Sequence, residues 1–300
     1  MNMWTVNLVL LLSFSAGLGV FYLWIYLKKR EARKFPFADD VLRSPGESLS
    51  RKTEELSFDL SMNFGLIPLA PVMVYAVYLQ MFAIDGEVPP AVAVTLLLMA
   101  SAVVSYLLIR IYRILGERHY YQLGYAGEVA VGNALNELMR QGYYVFHDVK
   151  GDGEYNIDHI VVGPTGVFAV ETKARTKSKK VPAKSAYKVG YDGEYLYFPD
   201  CPSAKQGDFI GQAERGAKWV GKWLSEATGE TVNAIPVLVM PGWFIERTGP
   251  GGVLVLNHNQ LEALTKQSDG RLGQKAIKCI AYQIKQRCLN EKIKPKSLSR

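Results

Sequence analysis

Asn156-Ile157-Asp158-His159-Ile160-Val161-Val162-Gly163-Pro164-Thr165-Gly166-Val167-Phe168-Ala169-Val170-Glu171-Thr172-Lys173 reads as two strands joined by a tight turn. β-Branched and aromatic runs flank Gly163-Pro164-Thr165-Gly166, which is a hairpin signal. The spacing predicts strands over 156–162 and 167–173. Asp158 and Glu171 stand out because their neighbours are apolar. A carboxylate at the buried end of a strand is costly unless it is paired or bound to a cation. Two of them on neighbouring strands repel unless a metal, a proton or a lysine neutralises them. Lys173 follows Glu171 by two residues and therefore shares its strand face.

The turn leaves the register open. A plain two-residue turn at Pro164-Thr165 would set Asp158 directly opposite Glu171. Proline cannot supply the positive φ of the usual two-residue hairpin turn, and Pro-Thr-Gly better fits a type I turn with Gly166 in a bulge. That register would put the two acids on opposite faces, unless a second bulge near Asp158 restored their convergence.

Working outward, Tyr143–Val149 has strand character, and residues 126–141 carry Val131, Ala134, Leu135 and Leu138 at helical spacing. Glu128 occupies the first turn of that helix on its apolar stripe. Downstream, a hairpin is expected over 186–198, turning at Tyr191-Asp192-Gly193. A helix over Ala204–Glu226 would bury Phe209, Ala213, Val220 and Trp223, and would end before Gly229. Strands are expected at Ala234–Met240 and Val253–Leu256, and an amphipathic helix through Ile277, Ile280, Ala281, Ile284 and Cys288. This order gives an α/β domain with a mixed sheet flanked by helices, without the strict alternation of a doubly wound fold.

Two clustered acids and a lysine meet the needs of metal-assisted phosphodiester hydrolysis. Oxygen ligands suit Mg²⁺ or Mn²⁺, and such a cation lowers the pKa of a bound water and offsets charge on the phosphate. Lys173 could orient the water or offset phosphate charge.

The blocks Gly124-x-x-Gly127-Glu128, Asn156 to Val162, Gly166 to Lys173 and Gln212-Ala213-Glu214-Arg215-Gly216-Ala217 resemble those of the NERD (nuclease-related domain) family. The resemblance covers roughly residues 120–240 and implies a restriction-endonuclease-like fold of the PD-(D/E)XK type, with Ile157 where such enzymes often have proline. It implies that Asp158 and Glu171 are metal ligands, Lys173 the catalytic lysine, Glu128 an accessory acid and Gln212 a polar group facing the site. The fold also hosts binding modules, so activity is a separate question.

Several of these residues have a plainer reading. Asp158, Glu171 and Lys173 could form a strand-end ion network. Glu128 could simply stabilise a helix N-terminus. Gln212 aligns with Phe209, Trp219 and Trp223 yet is polar. Lys173, Arg175, Lys177 and Lys179 recur at period two. Extended, Arg175, Lys177 and Lys179 would line a strand face that tracks phosphates, or would protect a solvated edge strand. His147 and His159 are expected to be structural or incidental, and Tyr143-Tyr144 and Trp219/Trp223 to belong to the core.

The 300-residue chain is otherwise split in hydropathy, its long apolar runs all preceding residue 116. Uncharged runs at 4–27, 62–84 and 91–109 predict three transmembrane helices, the first roughly 36 Å long. Pro68 and Pro71 would kink the second, which neighbouring helices can tolerate. No basic residue precedes the first run and Lys28-Lys29-Arg30 follow it, which suits an anchor better than a cleaved signal peptide. The bases of loop 28–61 and Arg110, Arg113 and Arg118 place both flanks in the cytosol of an inner membrane. The domains expected are thus a membrane domain over 1–116 and a cytosolic one over 117–300. A net charge of +7 suits an anionic partner such as nucleic acid or lipid headgroups. Homo-oligomerisation is left open. Cys201, Cys279 and Cys288 lack the spacing of a disulfide framework or zinc site, and Cys279 and Cys288 are expected to pack as small apolar residues. The expected function is a membrane-anchored, Mg²⁺-dependent nuclease. The alternative is a catalytically silent nucleic-acid-binding or membrane scaffold, for which two clustered acids that repel phosphate would serve no purpose.

Overall fold

The computed structural model describes residues 42–152, 156–182, 186–201, 208–267 and 271–293, together with Val20, Leu23 and Leu27. The chain forms two compact units, Met1–Ala38 with Asp59–Ile114, and Asp39–Phe58 with Leu115–Arg300. The segment 39–58, which the sequence assigns to a loop between membrane helices, thus groups with the C-terminal unit.

Helix α1 (Glu47–Leu66) ends at Ile67-Pro68, and α2 (Leu69–Asp85) follows at once. Pro71 falls in the first turn of α2, where its missing N–H leaves no intrahelical bond unmade. The run 62–84 is therefore broken into two helices by its prolines. Gly86 (φ 76°) closes α2, its N–H donating to the Phe82 carbonyl at 2.9 Å. Helix α3 (Pro90–Asn136) is 47 residues long and absorbs both the third apolar run and the helix expected over 126–141. The expected boundary at 116/117 therefore falls inside a continuous helix. The spans Glu47–Asp85 and Pro90–Gln141 are long and apolar enough to cross a membrane, and α2 buries none of its residues. The first apolar run, 4–27, lies outside the described residues except for three helical positions.

The second unit is built on a five-stranded mixed sheet of order β1-β2-β3-β6-β8. Its strands are β1 (Tyr144–Lys150), β2 (Asn156–Gly163), β3 (Gly166–Thr172), β6 (Ala234–Val239) and β8 (Leu254–Leu256). β1, β2 and β3 are antiparallel neighbours, whereas β6 runs parallel to β3 and β8 parallel to β6. β3 is buried at every residue, as its unbroken apolar run requires of a strand covered on both faces. One face packs Ile160, Val162, Val167 and Ala169 against α4 (Phe209–Thr228) and α5 (Gln274–Ile293). The other packs Val161, Phe168 and Val170 against Val131, Leu135 and Leu138. A second sheet, β5-β4-β7, joins β4 (Lys188–Tyr191), β5 (Leu196–Tyr197) and β7 (Phe244–Arg247). The hairpin β4–β5 falls where the sequence predicts it. β7 was not anticipated, because Phe244-Ile245-Glu246-Arg247 is too short and too exposed to show an apolar alternation.

Pro164 and Thr165 form a plain two-residue turn, with Gly163 paired to Gly166 and His159 to Val170. The shifted register expected from a type I turn and bulge does not occur, because Gly166 takes a positive φ of 134° and absorbs the geometry that proline cannot. Gly163 is required for a different reason: a Cβ there would overlap the Tyr143 ring. Cys279 is exposed and Cys288 is buried in the core.

Candidate active site

Asp158 sits where the sheet opens. The β1–β2 ladder pairs His147 with His159 and Val149 with Ile157 but skips the position between them, and the β2–β3 ladder ends at His159–Val170. Asp158 is thereby released from both ladders, and its Oδ2 accepts the Thr172 backbone N–H at 2.7 Å. Glu171 follows Val170, the last residue of β3 paired with β2, and its Oε1 is 2.7 Å from Lys173 Nζ. The same ammonium lies 5.7 Å from the centre of the Phe209 ring.

Glu128 comes from α3 and Gln212 from α4. Gly127 lets α3 approach this end of the sheet, since a Cβ there would fall 2.6 Å from the Ala174 Cβ. A cleft of about 210 Å³ results, lined by Glu128, Asp158, Glu171, Lys173 and Gln212 together with Leu49, Tyr120, Tyr121 and Gly124. The five residues that sequence reading assigned to catalysis therefore share one cavity.

Its electrostatics are those of a crowded anionic site. Burial, then Asp148 and Glu171, raises the Glu128 carboxyl from its usual 4.5 to about 7, although Lys173 and a hydrogen bond from the Gly46 backbone pull it down. Asp158 is pushed well above the ordinary range by burial first and by Glu171 and Glu128 next. Glu171 is raised by burial, against the opposing pull of Lys173 and Arg215. Burial acts to lower Lys173, but Glu171, Asp158 and Tyr120 together outweigh it and hold the ammonium charged. Three carboxyl groups thus share one lysine.

A chain of neutral groups runs from α3 to Thr172 at the cleft. His147 Nε2 is 3.1 Å from Asn136 Oδ1, His147 Nδ1 is 2.9 Å from His159 Nδ1, and His159 Nε2 is 3.3 Å from Thr172 Oγ1. With Asn136 accepting, one set of tautomers satisfies every link: His147 donates to Asn136, His159 donates to His147, and the Thr172 hydroxyl donates to His159. Burial lowers both imidazoles, His147 from 6.5 to about 4, so the pair is uncharged at neutral pH. Thr172 thereby links the histidine pair to Asp158 through its own backbone N–H.

The basic run behaves differently from its sequence pattern. Residues 173–178 form no strand and 179–180 form a turn, so Lys177 and Lys179 do not line a strand face. Arg175 is held in place, with Nη2 2.9 Å from Asp200 and its guanidinium 4.2 Å from the Phe198 ring centre. The period of two was lost because the chain leaves the sheet after Thr172, where β6 ends as well.

Sequence reasoning missed Asp148. It is 2% exposed, has φ 49°, and accepts from Arg43 Nη1 (3.4 Å), Ser48 N (3.0 Å), Ser48 Oγ (2.9 Å) and Asn156 Nδ2 (2.7 Å). Its partners lie up to 105 residues away, and no local pattern could reveal them.

Among curated proteins, the chain is similar to an uncharacterized protein of Bacillus anthracis, with 50% identity over 54 residues. That alignment covers 17% of this chain, and the chain spans about a quarter of the relative's length (26%). No solved structure matches the chain. Residues 123–241 match the family described as Nuclease-related domain, NERD, and this stretch contains Glu128, Asp158, Glu171, Lys173 and Gln212.

Proposed function

We propose that the chain is a membrane-anchored, divalent-cation-dependent nuclease that hydrolyses phosphodiester bonds in DNA or RNA at the cytosolic face of an inner membrane. The observation that carries this reading is the convergence of Asp158, Glu171 and Lys173 on one cleft within a nuclease-related domain.

The donor set fits a hard cation. Asp158 and Glu171 offer carboxylate oxygens that burial raises, Asp158 further by the charge of Glu171, and a nearby divalent charge would oppose that shift. Among the described residues no group of three or more His, Cys, Asp or Glu is set to hold a metal by itself. Mg²⁺ characteristically takes only one or two carboxylates and keeps several waters, so Asp158 and Glu171 would hold it. Bound there, the cation would supply a water of lowered pKa and a positive charge at the phosphate.

The protein's own groups account for the remaining steps. Thr172 N–H fixes one oxygen of Asp158. Lys173 holds Glu171 in its rotamer and presents a charge toward the phosphate as negative charge develops. Glu128, with a pKa near 7, is poised to give or take a proton at neutral pH. Gln212 supplies an amide that can orient water. The uncharged stretches 62–84 and 91–109 of the long helices would tether the domain, with the bases of 28–61 and 110–118 inside. The test is cleavage of labelled DNA and RNA by the full chain with and without Mg²⁺ or Mn²⁺. Binding without cleavage under every condition would replace this reading with a scaffold of the same fold.

A further inference from the structure

A second cleft, of about 670 Å³, lies beside the first and outside the stretch that matches the nuclease-related domain on one of its walls. That wall runs from Arg43, just before α1, through its first turns to Glu55; the other is β1 and β2, through Asp148, Lys150 and Asn156. The first turn of α1 separates the two clefts, since Leu49 lines the catalytic one and its neighbour Ser48 the second. Asn156 in the second cleft precedes Asp158 in the first by two residues on β2, so both project from one strand face. Asp148 is close enough to the catalytic side to raise Glu128.

The lining is cationic. Arg43, Arg51, Lys52 and Lys150 face Asp148 and Glu55. Asp148 is turned inward, its two oxygens taking up Arg43, Ser48 and Asn156. Arg51 pairs with Glu47 and Lys52 with Glu55, but Arg51 is 66% and Glu55 63% exposed. Solvent-exposed pairs of this kind are worth little, and a phosphate group would displace them easily. The Ser48 hydroxyl and the Asn156 amide add neutral polar groups to the same wall.

We infer that this cleft binds a backbone phosphate of the nucleic acid, away from the bond being cut, so that the segment 43–55 is an accessory substrate-binding element added to the nuclease-related domain. The inference rests on the nuclease reading given above. A polyanionic strand with one phosphate at Asp158 and Glu171 would pass over the first turn of α1, and its neighbouring phosphates would meet the cationic wall. Phosphate contacts of this type position a strand without reading its sequence.

The experiment is a salt titration of binding by the full chain in detergent to a short fluorescein-labelled oligonucleotide, in EDTA to prevent cleavage. Arg43 is avoided as a test position because it supports buried Asp148. Arg51→Gln combined with Lys150→Gln should weaken binding severalfold at low salt and reduce the slope of log affinity against log salt by about 1–2. Lys222→Gln, on α4 outside both clefts, should change neither. If the double variant binds like wild type while wild type still cuts, the inference fails and the nuclease reading stands. If the double variant loses only binding to anionic lipid vesicles, a membrane surface takes the place of nucleic acid and the inference is overturned. If wild type neither binds nor cuts nucleic acid, both fall together.

Discussion

His147 Nδ1 and His159 Nδ1 lie 2.9 Å apart across β1 and β2, and one imidazole must donate while the other accepts. The bond is lost once both rings are imidazolium, which has two N–H donors and no acceptor, and it is retained with both rings neutral. Burial keeps them so, lowering His147 to about 4. The pair reaches the candidate active site through Thr172, whose hydroxyl meets His159 and whose N–H holds Asp158.

The linkage has a definite sign. A histidine lowered from 6.5 to about 4 binds fewer protons folded than unfolded, so its contribution to stability is lost as pH falls from about 6.5 to 4. Glu128, raised from 4.5 to about 7, binds more protons folded than unfolded, so its contribution is lost as pH rises across nearly the same window. The two oppose each other. His147→Gln should therefore give a melting temperature that declines more steeply from pH 4.5 to 7 than in wild type, and Glu128→Gln one that rises more steeply. Thermal melts of the three proteins across that range, without divalent cation, check this; parallel curves would show that neither group is perturbed.

Removing the charge at Glu128 also bears on stability at fixed pH. At pH 8 wild-type Glu128 is mostly ionised in a site where burial, Asp148 and Glu171 all disfavour the charge. Glu128→Gln should raise the melting temperature of the cation-free protein at pH 8, and it should lower the rate of cleavage. A variant less stable than wild type at that pH would point to a structural hydrogen bond in place of repulsion.

Mg²⁺ or Mn²⁺ should stabilise the folded chain by binding it in preference to the unfolded one. Glu171→Ala should remove most of that gain. An equal shift of melting temperature in wild type and variant would locate the cation elsewhere.

Lys173→Ala should separate cleavage from binding. Losing a preorganised electrostatic group costs roughly a hundredfold or more in rate, about 2.7 kcal/mol upward, whereas one phosphate contact alters binding by about one counterion's worth of salt dependence. Single-turnover cleavage at saturating enzyme, set beside a salt-titrated binding assay, reads both quantities. Comparable losses in the two assays would make Lys173 a binding residue.

Arg43→Ala should destabilise the second unit by about 2 kcal/mol, because it removes a charged hydrogen-bond partner from a buried carboxylate. Denaturant melts followed by tryptophan fluorescence measure this. A neutral result would mean that Ser48 and Asn156 suffice to hold Asp148.

The β2–β3 hairpin and its chemistry were legible in the residues themselves. Continuous β-branched and aromatic runs around Gly-Pro-Thr-Gly, with Asp158, Glu171 and Lys173 at the strand ends, depend only on neighbours in sequence. Glu128 and Gln212 were legible for the same reason, as polar positions on the apolar stripes of two helices. Register was not: Gly166 settled it by adopting φ 134°, a conformation that glycine permits but its code letter does not declare. The basic run 173–179 misled, since nothing local states that the sheet ends at Thr172. What tertiary structure alone decided is the pairing of residues distant in the chain. Arg43 and Ser48 reach Asp148 across about a hundred residues, and His147 finds His159 only once β1 and β2 are aligned. Buried polar groups must find partners wherever the fold brings them, and that requirement acts through space, where a linear pattern carries no record of it.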